Sequence, residues 1–276
     1  MAEVFISIPH AGLSMPPELS GRLLPHVDEG FLLSQSDMFT DRIYEADGAR
    51  TLIYPWSRFT ADPNRFEGQT SEGGIVPTTD FDERPLYRAG LEPSLEEQRD
   101  LVRSYHQPYH SALADALASE EVCFFIDGHS MMATSPRRSP DYGQRRPDAC
   151  LSNCGDMQGE ILPGRPLTCS PEQTRHLASR LSHWLQAIPA PEAGPAHAVE
   201  GSVRVNDPFM GGHTVRTHAQ LSEGLPGLQF ELNQRLWVSE GSLTPLPGRV
   251  EWLREVISRV VEEIVAQAQT RRATAV

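Results

Sequence analysis

Short apolar runs punctuate this chain, and most of them hand over to a cluster of polar side chains. Residues 4–8, 50–55, 122–126 and 228–232 are apolar-rich and 198–205 alternates, so each reads as a strand; Leu151 marks another short one. The run 122–126 is apolar throughout, as expected of a strand buried on both faces. Helical periods fill the intervals. Residues 28–46 predict a helix that breaks or restarts at Ser36 and Asp37, with Phe39, Ile43 and Tyr44 as its apolar stripe. Residues 94–118 predict a helix that opens near a capping box, Ser94 with Glu97, and kinks near Pro108. Residues 171–188, capped by Ser170, carry Leu177, Leu181, Trp184 and Leu185 on one face. Residues 249–269 carry Trp252, Val256, Val260 and Ile264, and the tail 270–276 is expected to be loose. Strands alternating with helices predict one α/β domain over residues 1–276, with a mixed, mainly parallel sheet flanked by helices.

The polar clusters are where chemistry is expected, because ligands bind at the carboxyl ends of strands in such sheets. The first strand delivers His10-Ala11-Gly12, and 122–126 ends in Asp127-Gly128-His129-Ser130, read as a turn. Asp37 and Asp41 are four apart, which places them on one helical face. The strand 50–55 leads to Asp62-Pro63-Asn64-Arg65, where Arg and Asn side by side can hold a carboxylate. Gly211-Gly212 precede His213 and Arg216, and Glu231 lies inside an apolar strand, a costly place for a carboxylate unless it is paired or functional. His106 and His110 have a metal-capable spacing but lack the Glu of a zincin, so they read as packing or supporting residues. Two long loops complete the picture: 68–90, and the Pro-rich 131–147 with Arg137, Arg138, Arg145 and Arg146. Two His and one carboxylate make a three-ligand zinc site with a position left for water, and a further carboxylate can take the water's proton.

Composition narrows the partners. A net charge of −13 over 276 residues argues against nucleic acid and anionic membrane surfaces. No apolar run is long enough to span a bilayer, and the start Met-Ala-Glu-Val-Phe has no basic region of the signal-peptide kind. Four cysteines without a Cys-x-x-Cys pair suit a reduced, cytoplasmic setting. No Gly-x-Gly-x-x-Gly follows a strand, and no P-loop or Gly-x-Ser-x-Gly elbow occurs, so nucleotide-cofactor and serine-hydrolase chemistry lack support.

Taken in order, the motifs resemble one family. They are Ile8-Pro9-His10-Ala11-Gly12, Ser36-Asp37 with Asp41-Arg42-Ile43-Tyr44, Asp62-Pro63-Asn64-Arg65, Pro77-Thr78-Thr79, Pro85-Leu86-Tyr87-Arg88, Tyr105-His106-Gln107-Pro108-Tyr109-His110, Asp127-Gly128-His129-Ser130, Gly211-Gly212 through Arg216, and Gln229-Phe230-Glu231-Leu232. This set resembles the N-formylglutamate amidohydrolases, over residues 4–240. The resemblance implies a fold similar to zinc carboxypeptidases and hydrolysis of a small anionic substrate, N-formyl-L-glutamate, to formate and glutamate in histidine breakdown. It implies zinc on His10 and His129, with Asp37 or a neighbouring acid, Asp41 being the near alternative, as third ligand. It implies Glu231 as general base, Asn64 and Arg65 on the substrate α-carboxylate, Arg216 on the second carboxylate, and Asp127 orienting a ligand imidazole.

The chain departs from the family pattern in places. Pro63 stands where Leu is common, Met38-Phe39 replace a Trp-His pair, and residues 131–166 are unusually basic. These departures bear on the acyl group and side chain accepted. A related deacylase or carboxypeptidase acting on another N-acyl amino acid or short peptide stays open, as does a non-catalytic protein that binds an acidic ligand.

Overall fold

The computed structural model describes residues 2–66, 74–137, 139 and 141–274, so part of loop 68–90, Arg138 of loop 131–147 and the last two residues of the tail lie outside the described residues. The apolar runs pair into one sheet. β1 (Glu3–Ile8) lies between β2 (Ala49–Ile53) and β3 (Val122–Met131), and β3 pairs with β6 (Gly227–Asn233), all in parallel. β4 (Ala149–Ser152) runs antiparallel beside β6, and β5 (Val203–Val205) pairs parallel with β4 at the edge. The order is therefore β2-β1-β3-β6-β4-β5, a mixed and mainly parallel sheet, as the alternating pattern predicts.

Helices fill the connections. α1 (Pro17–Ser20), α2 (Glu29–Ser34) and α3 (Thr40–Ile43) lie between β1 and β2. α4 (Leu95–Leu101) and α5 (Gln107–Leu117) precede β3. α6 (Pro171–Ala187) and α7 (His213–His218) precede β5 and β6, and α8 (Arg249–Thr274) closes the described chain. Among the described residues no helix is long and apolar enough to cross a membrane.

Strand alternation separates two faces. Val4, Ile6 and Ile8 of β1, Phe124 and Ile126 of β3, and Leu228, Phe230 and Leu232 of β6 share one core with Leu177 and Leu181 of α6 and Val256 and Val260 of α8. The opposite face is apolar only at first: Phe5 and Phe125 pack with Tyr109 and Leu113 of α5 and Val215 of α7. Further along it turns polar, at Ser7, then Asp127 and His129, then Gln229 and Glu231. Asp127 pairs with Gln229 and His129 with Glu231 across β3 and β6, so these side chains stand in adjacent rows.

Several local expectations change: α8 runs through the tail expected to be loose as far as Thr274, and of the expected strand 198–205 only Val203–Val205 forms β5. Asp127–Ser130 is strand, not turn, because β3 runs on to Met131 against β6. Gly128 answers a packing need instead: a Cβ there would stand 2.9 Å from the Tyr44 ring. The Tyr44 hydroxyl donates to the carbonyls of His129 at 2.9 Å and Phe230 at 3.2 Å, tying the strand ends together. The expected helix 28–46 is two short helices, and Asp37 sits in the turn between them, so it shares no helical face with Asp41. Phe39 closes that turn at φ 64°, a left-handed conformation unusual for an aromatic residue. The helix 94–118 does have its capping box, but its irregularity is a π turn at Val102–His106, just ahead of Pro108.

Candidate active site

The carboxyl ends of the parallel strands open into a cavity of about 510 Å³. His10, Asp37, Asn64, Arg65, His129 and Glu231 all line it, and Arg58 and Arg146 join them. His10 follows β1, His129 and Glu231 stand on β3 and β6, and Asp37 arrives on its turn. That turn is held by the Asp37 N–H donating to the His10 carbonyl at 3.0 Å and by Ser130 N–H donating to Asp37 Oδ2 at 3.1 Å.

Three lone-pair atoms converge. His10 Nδ1 and His129 Nδ1 are 3.1 Å apart, His129 Nδ1 is 3.2 Å from Asp37 Oδ2, and His10 Nδ1 is 3.4 Å from the same oxygen. Tetrahedral ligands on bonds of about 2.0–2.1 Å stand about 3.3 Å apart, so the set has the dimensions of one face of such a site. The far nitrogens explain the orientation. His10 Nε2 is 2.7 Å from Asp62 Oδ1, and His129 Nε2 is 3.0 Å from Asp127 Oδ2. Asp62, accepting the His10 Nε2 proton, leaves Nδ1 as the lone pair, the usual arrangement behind metal-bound imidazoles, while His129 Nε2 lies between Asp127 Oδ2 and Asn64 Nδ2 at 3.3 Å. His10, Asp37 and His129 are all buried, so their mutual crowding calls for a cation.

The electrostatics agree. Burial would raise Asp37, but the hydrogen bonds of His10 and His129 outweigh it and hold the carboxyl well below its ordinary range. Burial would lower His129, but the charge and hydrogen bond of Asp127, with Asp37, hold it well above its ordinary value. This is a place that draws positive charge, and a proton and a metal ion would compete for it. Asp62 is likewise held low: the Arg58 charge and then His10 overcome its burial. Glu231 behaves oppositely, since burial lifts it to about 8 and the His129 charge only partly offsets this. Its Oε1 accepts from Gln229 Nε2 at 2.8 Å, while Gln229 Oε1 accepts from Gly212 N–H at 2.6 Å, fixing the carboxylate's angle.

Asn64 and Arg65 rim the same cavity. The Asn64 N–H donates to Asp62 Oδ1 at 2.9 Å, and Asn64 Oδ1 accepts from Thr214 N–H at 3.1 Å. Gly212 is required here, because a Cβ would come within 2.1 Å of the Asn64 side chain. Arg65 also lines the cavity, and its guanidinium reaches Asp62 only at 3.9 Å.

Two expected residues are not brought in. Asp41 stands on α3, outside the cavity lining, because the turn at Phe39 separates it from Asp37. Arg216 is exposed on α7, whose inward positions are taken by Thr214, Val215 and His218, and it too lies outside the lining. Arg146 of the basic loop, by contrast, does line the cavity; it is buried, stacks 4.8 Å over Phe209 and binds Asp141 and Ser139. The sequence assigns no site role to Asp62, Arg58 or Gln229, and names Arg146 only as one of four arginines of the basic loop. The available signals were the place of Asp62 two residues before Asn64 and that of Gln229 two before Glu231, on one strand face.

Fold and site define an α/β protein with a His–Asp–His centre and a buried glutamate at the carboxyl edge of its parallel strands. Residues 2–238 match the model of the N-formylglutamate amidohydrolases, and the chain belongs to that family. It is 31% identical to the N-formylglutamate deformylase of Pseudomonas aeruginosa, over 98% of this chain and 95% of that one. The Pseudomonas putida N-formylglutamate deformylase is 28% identical, over 86% of this chain and 82% of that one. A crystal structure of N-formylglutamate amidohydrolase from Ralstonia eutropha JMP134 shares the fold with a TM-score of 0.73 at 20% identity, covering 98% of this chain and 95% of that one.

Proposed function

We propose that the protein hydrolyses the N-formyl amide of N-formyl-L-glutamate, or of a closely similar N-acyl amino acid, to formate and the free amino acid. The observation that carries this reading is the convergence of His10 Nδ1, His129 Nδ1 and Asp37 Oδ2 within 3.1–3.4 Å, in the cavity that Glu231 lines. The Pseudomonas relatives named above are both N-formylglutamate deformylases, which supplies the substrate.

His10, Asp37 and His129 would hold a divalent metal, and two imidazoles with one carboxylate suit zinc. When bound, such an ion lowers the pKa of a water and polarises a carbonyl. The rest falls to the chain. Asp62 and Asp127 keep the ligand imidazoles in the Nδ1 lone-pair form. Glu231 removes the proton from the attacking water, because burial makes its carboxylate a stronger base than an exposed glutamate. As the C–N bond breaks, Glu231 returns that proton to the leaving nitrogen. Asn64 and Arg65 would hold the α-carboxylate, and Arg146, already paired with Asp141, is the buried arginine that would take the side-chain carboxylate.

The test is formate release from N-formyl-L-glutamate, with chelator and with zinc restored. Turnover that stops on chelation and returns with zinc supports the reading, and turnover indifferent to chelation overturns the metal's role. A second reading rests on the wall of Met131, Met132, Phe209 and Met210, which leaves an apolar side to the cavity. It predicts that N-acyl amino acids with apolar groups turn over faster than N-formyl-L-glutamate.

A further inference from the structure

His106 and His110 stand four residues apart across the junction between the π turn and α5. Each ring aims at a backbone carbonyl on either side of Asn64. His106 Nε2 is 2.9 Å from the Arg65 carbonyl, and His110 Nε2 is 2.9 Å from the Pro63 carbonyl. A carbonyl only accepts, so both imidazoles donate and both carry their proton on Nε2. That leaves His110 Nδ1 as an acceptor, and His218 Nε2 donates to it at 2.8 Å. Thr214 completes the grip: its hydroxyl donates to the Pro63 carbonyl at 3.2 Å and its N–H to Asn64 Oδ1 at 3.1 Å.

The π turn has a role in this. Its extra residue offsets α5 from α4, so Leu101 keeps its place in the apolar cluster under the 19–32 segment while the two histidines face the 62–65 loop. Burial lowers His110 to about 3 and His218 to about 4, so both rings are neutral, one-donor, one-acceptor groups near pH 7. His106, His110 and His213 bring enough nitrogens together to hold a metal ion, which raises a second metal site as the competing reading. Against it, both His110 nitrogens already serve Pro63 and His218, and His106 Nε2 already serves Arg65.

We propose that His106 and His110 are positioning residues: a two-imidazole clasp on the Pro63 and Arg65 carbonyls that aims the Asn64 amide and the Arg65 guanidinium into the substrate cavity. This rests on the reading that Asn64 and Arg65 bind the substrate carboxylate. Removing either donor should loosen substrate binding and spare the chemistry at Glu231.

The experiment compares His106→Phe and His110→Phe, which remove the donor, with His106→Gln and His110→Gln, which restore an N–H. With zinc-loaded enzyme and N-formyl-L-glutamate, each Phe variant should raise KM about tenfold while kcat stays within about threefold, and the Gln variants should recover most of the loss. A fall in kcat at constant KM, or Gln variants no better than Phe, would overturn the clasp. So would a second zinc equivalent present in the parent protein and lost in the His110 variants. Amide hydrogen exchange at Asn64 and Arg65, in the parent and the Gln and Phe variants, needs no activity: faster exchange in Phe than in Gln supports the clasp, and equal exchange overturns it. If a Phe variant does not fold, the same comparison of Gln variant with parent decides, with near-parental exchange expected and a large loss of protection overturning the clasp. If the parent protein releases no formate, the functional reading fails, and exchange alone still tests the clasp.

Discussion

His10 Nδ1 and His129 Nδ1 face each other at 3.1 Å, each with its far nitrogen beside a different carboxylate: His10 Nε2 bonded to Asp62 at 2.7 Å and His129 Nε2 3.0 Å from Asp127. Two buried imidazoles aimed lone pair to lone pair repel each other unless a proton or a metal ion lies between them. The two supporting carboxylates impose that aim.

Asp62→Asn and Asp127→Asn should therefore each weaken zinc affinity about 10- to 100-fold without removing a ligand. Calorimetric titration of metal-stripped protein reads this directly. Unchanged affinity in both variants would mean that the carboxylates do not set the imidazole orientation.

Glu231→Gln should lower kcat by at least about 100-fold while the zinc content stays at its parental level. The amide keeps the size and the Gln229 contact but cannot take a proton. Formate release and metal analysis on one preparation check both halves, and retained turnover would remove Glu231 from the mechanism.

The pH dependence has two separate signs. Glu231 acts as a carboxylate, so activity should rise with pH along its acid limb. Burial puts that limb near 8 in metal-free protein, and a bound cation would pull it lower, so zinc-loaded enzyme should show its limb below 8. Stability behaves differently. His110 and His218 are lowered from 6.5 to about 3 and about 4, so below 6.5 the unfolded chain binds protons that the folded one refuses. Their contribution is present above 6.5 and is lost as pH falls toward those lower values. Thermal unfolding midpoints between pH 7 and 4 should fall more gently in His218→Gln than in the parent protein.

Arg216→Ala and Asp41→Ala should leave KM and kcat at parental values, because neither residue lines the cavity. Arg65→Ala should raise KM about tenfold or more, since Arg65 does line it. Steady-state kinetics on the three variants tests this contrast.

Gly128→Ala should destabilise the fold by about 1–3 kcal/mol, as expected when an added carbon meets a packed ring. The Tyr44 ring lies 2.9 Å from where that carbon would stand. Denaturant unfolding measures the loss, and Gly128→Ala combined with Tyr44→Leu should recover part of it.

Much of this was legible in the sequence because strands announce themselves. The runs at β1, β3 and β6 are apolar on the helix-packed face and turn polar at their ends, which located His10, His129 and Glu231. The strand extension through Asp127–Ser130 was hidden, because glycine and aspartate read as turn until the Tyr44 ring explains Gly128. Asp41 looked equivalent to Asp37 only under a helical period, and a single left-handed residue, Phe39, broke that period. Arg146 and Arg216 could not be ranked from spacing, since long-range packing decides which guanidinium reaches the cavity. Asp62 carries no role in the sequence motif because that role depends on His10, fifty-two residues away in sequence.

The most direct test is zinc titration of metal-stripped parent protein beside His129→Ala and Asp37→Ala. Tight binding of zinc by the parent protein, with one equivalent lost in both variants and formate release lost with it, is the predicted result. Binding and turnover that survive both substitutions would contradict the account.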